Sequence, residues 1–178
     1  MASANLVKDI HNTAASSENP AEASIRPPGT TALEFAVMSR DVMRKLRVER
    51  ASEVLEIGCG TGILALPIAR RARRFVGVDF AEEALNVLRR RFAEAGVSDR
   101  TELVVGNVLE MDAAQLQELR GVDRVLVYAT IHLARDHDEG AAFMAAALDL
   151  VAPGGRVVIG NVPLEELEAD AAMLAQAG

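Results

Sequence analysis

The sequence predicts an α/β protein in which a mainly parallel sheet is covered by helices on both faces. Five short apolar runs alternate with longer stretches of helical pattern from residue 53 onward. The runs are rich in Val, Leu and Ile, as is typical of parallel strands that are buried on both faces. Right-handed crossovers then give an open three-layer fold, and such sheets bind ligands at the carboxyl ends of their strands.

Each element can be placed from its pattern. Strands are expected at Glu53–Ile57, Phe75–Val78, Glu102–Val105, Arg124–Tyr128 and Arg156–Ile159. Helices are expected between them at 62–73, 81–95, 112–119 and 138–151, with a last one at 163–176. Ahead of the first strand, Thr31 and Glu34 match a capping box for a helix that runs to about Val48. Asp138 is the expected cap of the helix at 138–151.

The amino-terminal segment differs in composition from the rest. Residues 12–30 are rich in small and polar side chains, and Pro20, Pro27 and Pro28 interrupt any helix there. A flexible arm or lid over residues 1–30 and a plain disordered tail are both consistent with this composition. One domain is expected over residues 31–178, since 178 residues is the usual size of a single domain.

Composition excludes several classes of protein. The net charge of −7 disfavours a nucleic-acid partner, and scarce aromatic residues leave little for base stacking. The single cysteine rules out an internal disulfide and fits a reducing cytoplasm. No apolar run reaches the roughly 18 residues of a membrane span, so no membrane partner is expected. The arginines at 70–74 and 89–91 are expected to form solvated helix faces.

The most informative segment follows the first strand. Glycines stand at 58, 60 and 62, and Glu56 directly precedes them. Glycine allows positive φ angles and close approach of a ligand to the backbone. The third glycine comes one residue earlier than in the dinucleotide fingerprint, which disfavours an NAD-dependent oxidoreductase of the same topology. A carboxylate in this position would repel a pyrophosphate and attract an amine, so the loop favours a ligand with an amino group.

The next two strand ends add polar groups at the same edge of the sheet. Asp79 lies 21 residues after Gly58, where an acid accepts hydrogen bonds from ribose hydroxyls; the alternative is a helix N-cap. Phe80 follows and could flank an adenine ring. Asn107 and the backbone N–H of Val108 could bind the adenine edge, although Asn107 is equally typical of a turn.

These motifs resemble those of the class I S-adenosylmethionine-dependent methyltransferases. The resemblance rests on Glu-Ile-Gly-Cys-Gly-Thr-Gly at 56–62, on Asp79 and on Pro-Gly-Gly at 153–155, and it covers about residues 31–162. It implies a Rossmann-like sandwich with strand order 3-2-1-4-5, and S-adenosyl-L-methionine as cofactor with S-adenosyl-L-homocysteine as product. The cofactor-binding residues that follow are Glu56, Gly58, Cys59, Gly60, Gly62, Asp79, Phe80, Asn107, Val108 and Tyr128. The family usually has Asp where this chain has Asn107.

The resemblance is incomplete after the fifth strand. The family's last antiparallel hairpin is not found in this sequence, which leaves the fifth strand as an open edge. Truncation, cover by the amino-terminal arm and cover by a second subunit in a homodimer all remain open. The same feature motivates an alternative function, a non-catalytic methyltransferase-like module that needs a partner or second subunit to complete its sheet.

The fourth strand end is where the family places its reaction face. His132 is the candidate catalytic base, because histidine titrates near neutral pH, and a structural histidine is the alternative. His137 is a second candidate, and no metal site is predicted. The Asp/Asn-Pro-Pro-aromatic motif of exocyclic-amine DNA methylases is absent, because residues 128–131 read Tyr-Ala-Thr-Ile. The expected acceptor is therefore a hydroxyl or amine of a small-molecule metabolite.

Overall fold

The computed structural model describes residues 32–161, and five parallel strands form one sheet within this range. The strand order is β3-β2-β1-β4-β5. The strands are β1 (Glu53–Ile57), β2 (Arg74–Asp79), β3 (Thr101–Val105), β4 (Val122–Tyr128) and β5 (Val151–Gly160). The predicted three-layer fold and strand order are confirmed. The predicted arm at 1–30, the Thr31 cap and the helix at 163–176 lie outside the described residues.

Helices cover both faces of the sheet. The described helices are α1 (Ala32–Leu46), α2 (Ala65–Ala69), α3 (Glu82–Glu94), α4 (Ala113–Leu119) and α5 (His137–Leu150). On one face, α1, α2 and α3 bury Leu46, Ile68 and Leu88 against the sheet. On the other face, α4 and α5 bury Leu119 and Leu150. The two-residue alternation along a strand places Val54 and Glu56 on the first face and Leu55 and Ile57 on the second.

The helix after β1 is shorter than the predicted 62–73. Positive φ angles at Gly58, Gly60 and Gly62 hold the chain in tight turns, so α2 begins only at Ala65 and spans five residues. Pro67 lies in its first turn, where the missing N–H has no helical partner to lose.

The strand β5 is longer than the predicted Arg156–Ile159. Val151 already pairs with Val122, and Arg156 pairs with Arg124, so four residues of β5 stand opposite one residue of β4. The Pro-Gly-Gly turn occupies this irregular stretch, where Gly154 has a φ of 78°.

The cap of α5 also differs from the prediction. Asp136, and not Asp138, is the N-cap residue, and its side chain accepts a hydrogen bond from the Glu139 N–H at 2.9 Å. The helix therefore begins one residue earlier than expected, at His137. No helix within residues 32–161 has the length and apolar character that crossing a membrane requires.

Candidate active site

The glycine loop is tied to the ends of β2 and β4. The N–H groups of Gly58 and Cys59 donate to the carbonyl oxygen of Val78 at 2.8 and 3.2 Å. Gly58 has a φ of 76°, and a Cβ added there would lie 2.1 Å from the Thr130 hydroxyl oxygen. Both the backbone angle and the space therefore require glycine at position 58.

Asp79 connects the end of β2 to the same loop. Its side chain is 5% exposed; one carboxylate oxygen accepts from the Gly60 N–H and the other from the Ala81 N–H, both at 2.8 Å. The N-cap residue of α3 is Ala81, so the alternative interpretation of Asp79 as the helix N-cap is wrong. A Cβ added at Gly60 would meet no described residue within 4 Å, so the described part of the chain leaves open space next to the loop.

Glu56 is the unusual residue of this site. It is only 3% exposed, and its Oε2 has no hydrogen-bond partner within the described part of the chain. Burial raises the pKa of this carboxyl well above its ordinary value, and the negative charge of Asp79 raises it further. A buried polar atom without a partner costs about 1–3 kcal/mol, so a cation bound here would relieve an existing penalty.

The side chain of Cys59 belongs to the core. It is buried with α2 and α3 residues, and burial raises the pKa of its thiol well above the ordinary value, with Asp79 and Glu56 adding to the shift. A Cβ added at Gly77 would lie 2.7 Å from the Cys59 sulfur, so β2 needs glycine where the loop crosses it. Gly77 was not anticipated from the sequence. Only the backbone of Cys59 remains for contact with a ligand.

At the end of β3, Asn107 forms a turn. Its Oδ1 accepts from the Leu109 N–H at 3.1 Å, and its amide group donates to Glu110 at 3.4 Å. This is the turn role that the sequence left open as the alternative. Val108 is buried, and Phe80, at the end of β2, packs half-buried on a small cluster of α3 residues. The structure thus places these residues at neighbouring strand ends.

The end of β4 completes the site. Tyr128 packs on the core beneath α1, and its ring fills the space next to Gly160. Burial raises the pKa of Tyr128; the Lys45 charge opposes this shift and Asp41 adds to it. His132 lies in a short 3-10 turn, Ile131–Leu133; its side chain is outside the described structure. His137 is the exposed first residue of α5.

Thr130 is a residue of this site that the sequence did not reveal. Its hydroxyl lies 3.2 Å from the carbonyl oxygens of both Ile57 and Tyr128, so it joins the ends of β1 and β4. Ala129, immediately before it, has a φ of 54°, which is uncommon for a residue with a Cβ. Within the described residues, no three or more His, Cys, Asp or Glu side chains form a group that could hold a metal ion.

Comparison with known families identifies this arrangement. The model of the methyltransferase domain family matches residues 54–155, which include the glycine loop, Asp79 and the Pro-Gly-Gly turn. The chain belongs to this family. The resemblance noted from the sequence is thus confirmed.

Curated relatives of this methyltransferase domain are larger proteins. The 23S rRNA (uracil(1939)-C(5))-methyltransferase RlmD of Bordetella pertussis is 30% identical over 159 residues, covering 86% of this chain and 33% of the relative. A probable cobalt-precorrin-6B C(15)-methyltransferase (decarboxylating) of Saccharolobus solfataricus is 28% identical over 126 residues, covering 69% of this chain and 59% of the relative. The chain thus spans about a third of the RlmD length and somewhat more than half of the second relative.

Solved structures show the same fold. The N-methyltransferase NodS of Bradyrhizobium japonicum, in complex with S-adenosyl-L-homocysteine, has a TM-score of 0.68 at 17% identity, covering 85% of this chain and 71% of that one. The precorrin 8W decarboxylase of Methanobacterium thermoautotrophicum has a TM-score of 0.62 at 24% identity, covering 85% of this chain and 74% of that one. At these identities the likeness concerns the fold alone.

Proposed function

We propose that this methyltransferase domain binds S-adenosyl-L-methionine at the carboxyl ends of β1, β2 and β3 and transfers its methyl group to a small-molecule hydroxyl or amine. The observation that carries the proposal is the buried Oε2 of Glu56 beside the glycine loop, which has no hydrogen-bond partner among residues 32–161. The cofactor has one primary ammonium group, which is a fitting partner for a buried carboxylate. An NAD or flavin dinucleotide would bring a pyrophosphate to the same place and increase the repulsion.

Each part of the cofactor has a proposed partner. The methionine part would lie on Gly58, Gly60 and Gly62, where Gly60 has open space above it. The ribose would bind Asp79, whose carboxylate is already held in place by two backbone N–H groups. The adenine would lie between Phe80 and the Asn107–Val108 turn. Tyr128 would close the site from the β4 side.

The cofactor supplies an electrophilic methyl group on a sulfonium, and the chain has to position the acceptor and exclude water. Proton removal from a hydroxyl acceptor requires a base at the reaction face. We assign this role to His132, which the turn after β4 carries at the same strand end as Thr130. Its position at the end of β4 and the near-neutral pKa of histidine support the assignment.

The proposed acceptor is a small molecule because the chain is acidic overall and lacks the exocyclic-amine DNA methylase motif. The curated relative RlmD acts on ribosomal RNA, which makes RNA methylation the competing function. A labelled-methyl assay on ribosomal RNA and on a pool of small metabolites discriminates between the two. Labelling of RNA alone would contradict the proposed acceptor and leave the cofactor site unaffected.

A second proposal concerns the edge of the sheet. In the described structure β5 pairs only with β4, so its other side is an edge. A second copy of the chain could cover that edge and form a homodimer. Light scattering of the purified protein measures this directly: a dimer mass supports the proposal, and a monomer at high concentration contradicts it.

The experiment that tests the main proposal is calorimetric titration with S-adenosyl-L-homocysteine, with NADH as the control ligand. We expect micromolar binding of the first ligand and none of the second. Glu56→Gln should weaken the binding, because an uncharged amide replaces the partner of the ammonium group. Binding of NADH in preference to S-adenosyl-L-homocysteine by the folded protein would overturn the proposal.

A further inference from the structure

A cavity of about 820 Å³ lies between α1 and α2. Six arginines line it: Arg40, Arg44, Arg47, Arg70, Arg71 and Arg91. Among the described residues that line this space, which we name the arginine cavity, none is a proposed cofactor-binding residue. Six of the chain's 19 basic residues thus converge on one cavity of a protein with a net charge of −7.

Most of these charges are not neutralised. Among the described residues, only Arg44 of the six forms an ion pair, with Asp41 at 2.8 Å. Six arginines elsewhere in the described chain do pair with carboxylates: Arg73, Arg74, Arg100, Arg120, Arg124 and Arg135. Glu49 is the one acidic side chain among the described lining residues, and Glu94 acts on Arg91 from outside the lining. Positive charges therefore outnumber negative charges around the arginine cavity.

Two of the guanidinium groups are held in fixed positions. Arg71 donates from Nε to the Val48 carbonyl oxygen at 2.6 Å, and Arg91 donates to the Thr61 carbonyl oxygen at 2.7 Å. Each guanidinium has five N–H donors, so several remain for a ligand after these bonds are made. Arg91 is half-buried, and burial lowers its pKa; the negative charge of Glu94 opposes this shift and the charge of Arg70 adds to it.

The floor of the cavity is apolar. Phe35, Met43, Ile63, Leu66 and Pro67 line it beneath the arginines. A volume of about 820 Å³ is within the usual range of small-molecule sites, roughly 300–1,000 Å³. The combination of an apolar floor with guanidinium groups suits a ligand that has an organic body and anionic substituents.

We propose that the arginine cavity binds a small organic molecule that carries two or more phosphate groups. Guanidinium groups bind phosphate oxygens in a bidentate manner, which makes phosphate the preferred anion for a cluster of arginines. Arg40 and Arg44 lie one turn apart on α1, about 6 Å at 1.5 Å per helical residue, and Arg47 directly follows the end of that helix. The six guanidinium groups offer more N–H donors than the oxygens of one phosphate group can accept. The overall negative charge and the single aromatic residue in the lining disfavour an RNA chain.

The cavity is adjacent to the proposed cofactor site. Arg91 binds the carbonyl oxygen of Thr61, and Thr61 lies between Gly60 and Gly62 of the glycine loop. A ligand that binds Arg91 would therefore contact a side chain that is hydrogen-bonded to the glycine loop. The phosphate site itself goes beyond the proposed methyl transfer and does not depend on it.

The test uses inorganic tripolyphosphate as the probe. Its binding to the full chain is measured by calorimetry and by thermal unfolding. We expect saturable binding with a rise in Tm. The double variant Arg40→Ala/Arg70→Ala should bind at least tenfold more weakly. The matched control is Arg89→Ala/Arg90→Ala, which removes the same charge from the exposed face of α3 outside the cavity. The control should bind tripolyphosphate like the unchanged protein.

Three results would overturn the proposal. The first is no binding of tripolyphosphate by the folded protein. The second is an equal loss of tripolyphosphate affinity in both double variants, which would show that the anion is attracted only by the overall charge of the protein. The third is binding of a 12-nucleotide RNA more tightly than tripolyphosphate with the same dependence on Arg40 and Arg70, which would assign the cavity to RNA. S-adenosyl-L-homocysteine titrations on the same variants report separately on the cofactor site.

Discussion

The two candidate sites of this molecule use charge in opposite ways. At the strand ends, Glu56 and Asp79 are both nearly inaccessible to water, and burial dominates the behaviour of Glu56. In the arginine cavity, Arg40, Arg44 and Arg70 are exposed, so salt screens their charges. A change at the strand ends should therefore alter the free energy of unfolding as well as ligand binding. A change in the cavity should alter mainly ligand binding.

The largest expected effect comes from Gly58→Ala. The new Cβ would require a positive φ and would lie within 3.0 Å of three Thr130 atoms, so rotating the threonine does not remove the clash. We expect a loss of about 3 kcal/mol or more in the free energy of unfolding, measured by urea denaturation. Gly121→Ala is the matched control, because its φ of 84° imposes the strain while nothing lies within 4 Å. An equal loss in both variants would show that the contact with Thr130 is unimportant.

Asp79→Ala should have the next largest effect. The variant loses two hydrogen bonds to backbone N–H groups and the proposed ribose contact. We expect S-adenosyl-L-homocysteine to bind at least tenfold more weakly, since a charge-assisted hydrogen bond contributes about 1.5–3 kcal/mol. Asp112→Ala is the control: it removes the N-cap of α4 and should lower stability by about 1 kcal/mol without changing affinity. Unchanged affinity in Asp79→Ala would contradict the ribose assignment.

Glu56→Gln should separate stability from binding. Because the pKa of Glu56 is raised in the folded state, the protonated form is favoured there, and ionisation destabilises the fold as pH rises above about 4.5. The stability difference in favour of Glu56→Gln should therefore be small at acidic pH and grow as pH rises towards the folded-state pKa. Thermal unfolding of both proteins between pH 4 and 9 measures this difference. A difference that is independent of pH would show that Glu56 does not titrate as proposed.

The smallest expected effect is that of Thr130→Val. The change keeps the shape of the side chain and removes the hydroxyl that bonds the Ile57 and Tyr128 carbonyl oxygens. We expect a loss of about 0.5–1.5 kcal/mol in the free energy of unfolding. Thr101→Val is the control, because its hydroxyl makes only an exposed 3.5 Å contact with the Ser98 carbonyl oxygen. A loss in the control as large as that in Thr130→Val would remove the special role of Thr130.

The strand ends were predicted from the sequence because their signals are local. Four of the five described strands are five to seven residues long, so each apolar run can be recognised in a short window. Three glycines at alternate positions leave few backbone arrangements for the loop. The pairing of Asp79 with the loop follows from parallel strands, whose carboxyl ends meet at one edge. The length of α2 was predicted wrongly, because the apolar pattern at 62–73 does not reveal where the positive φ angles end.

The arginine cavity could not be predicted in this way. The expectation of solvated helix faces is wrong for the arginines at 70–74, because α2 ends at Ala69 and Arg74 already belongs to β2. It is confirmed for Arg89 and Arg90, which are exposed on α3. The tertiary structure brings Arg70, Arg71 and Arg91 against Arg40, Arg44 and Arg47, which are distant in sequence. The same holds for Gly77 and Thr130, whose importance depends on contacts with Cys59 and Gly58 across the sheet.

The sequence by itself determined the fold class, the strand order that its family resemblance implied and the position of the glycine loop. Periodicity and glycine content act over a few residues, and so they can be recognised without knowing what packs nearby. Only the tertiary structure decided that Oε2 of Glu56 is buried without a hydrogen-bond partner in the described range 32–161, that Thr130 holds the loop and that six arginines share one cavity. Burial and electrostatic fields are sums over neighbours in space, and those neighbours become known only when the chain is folded.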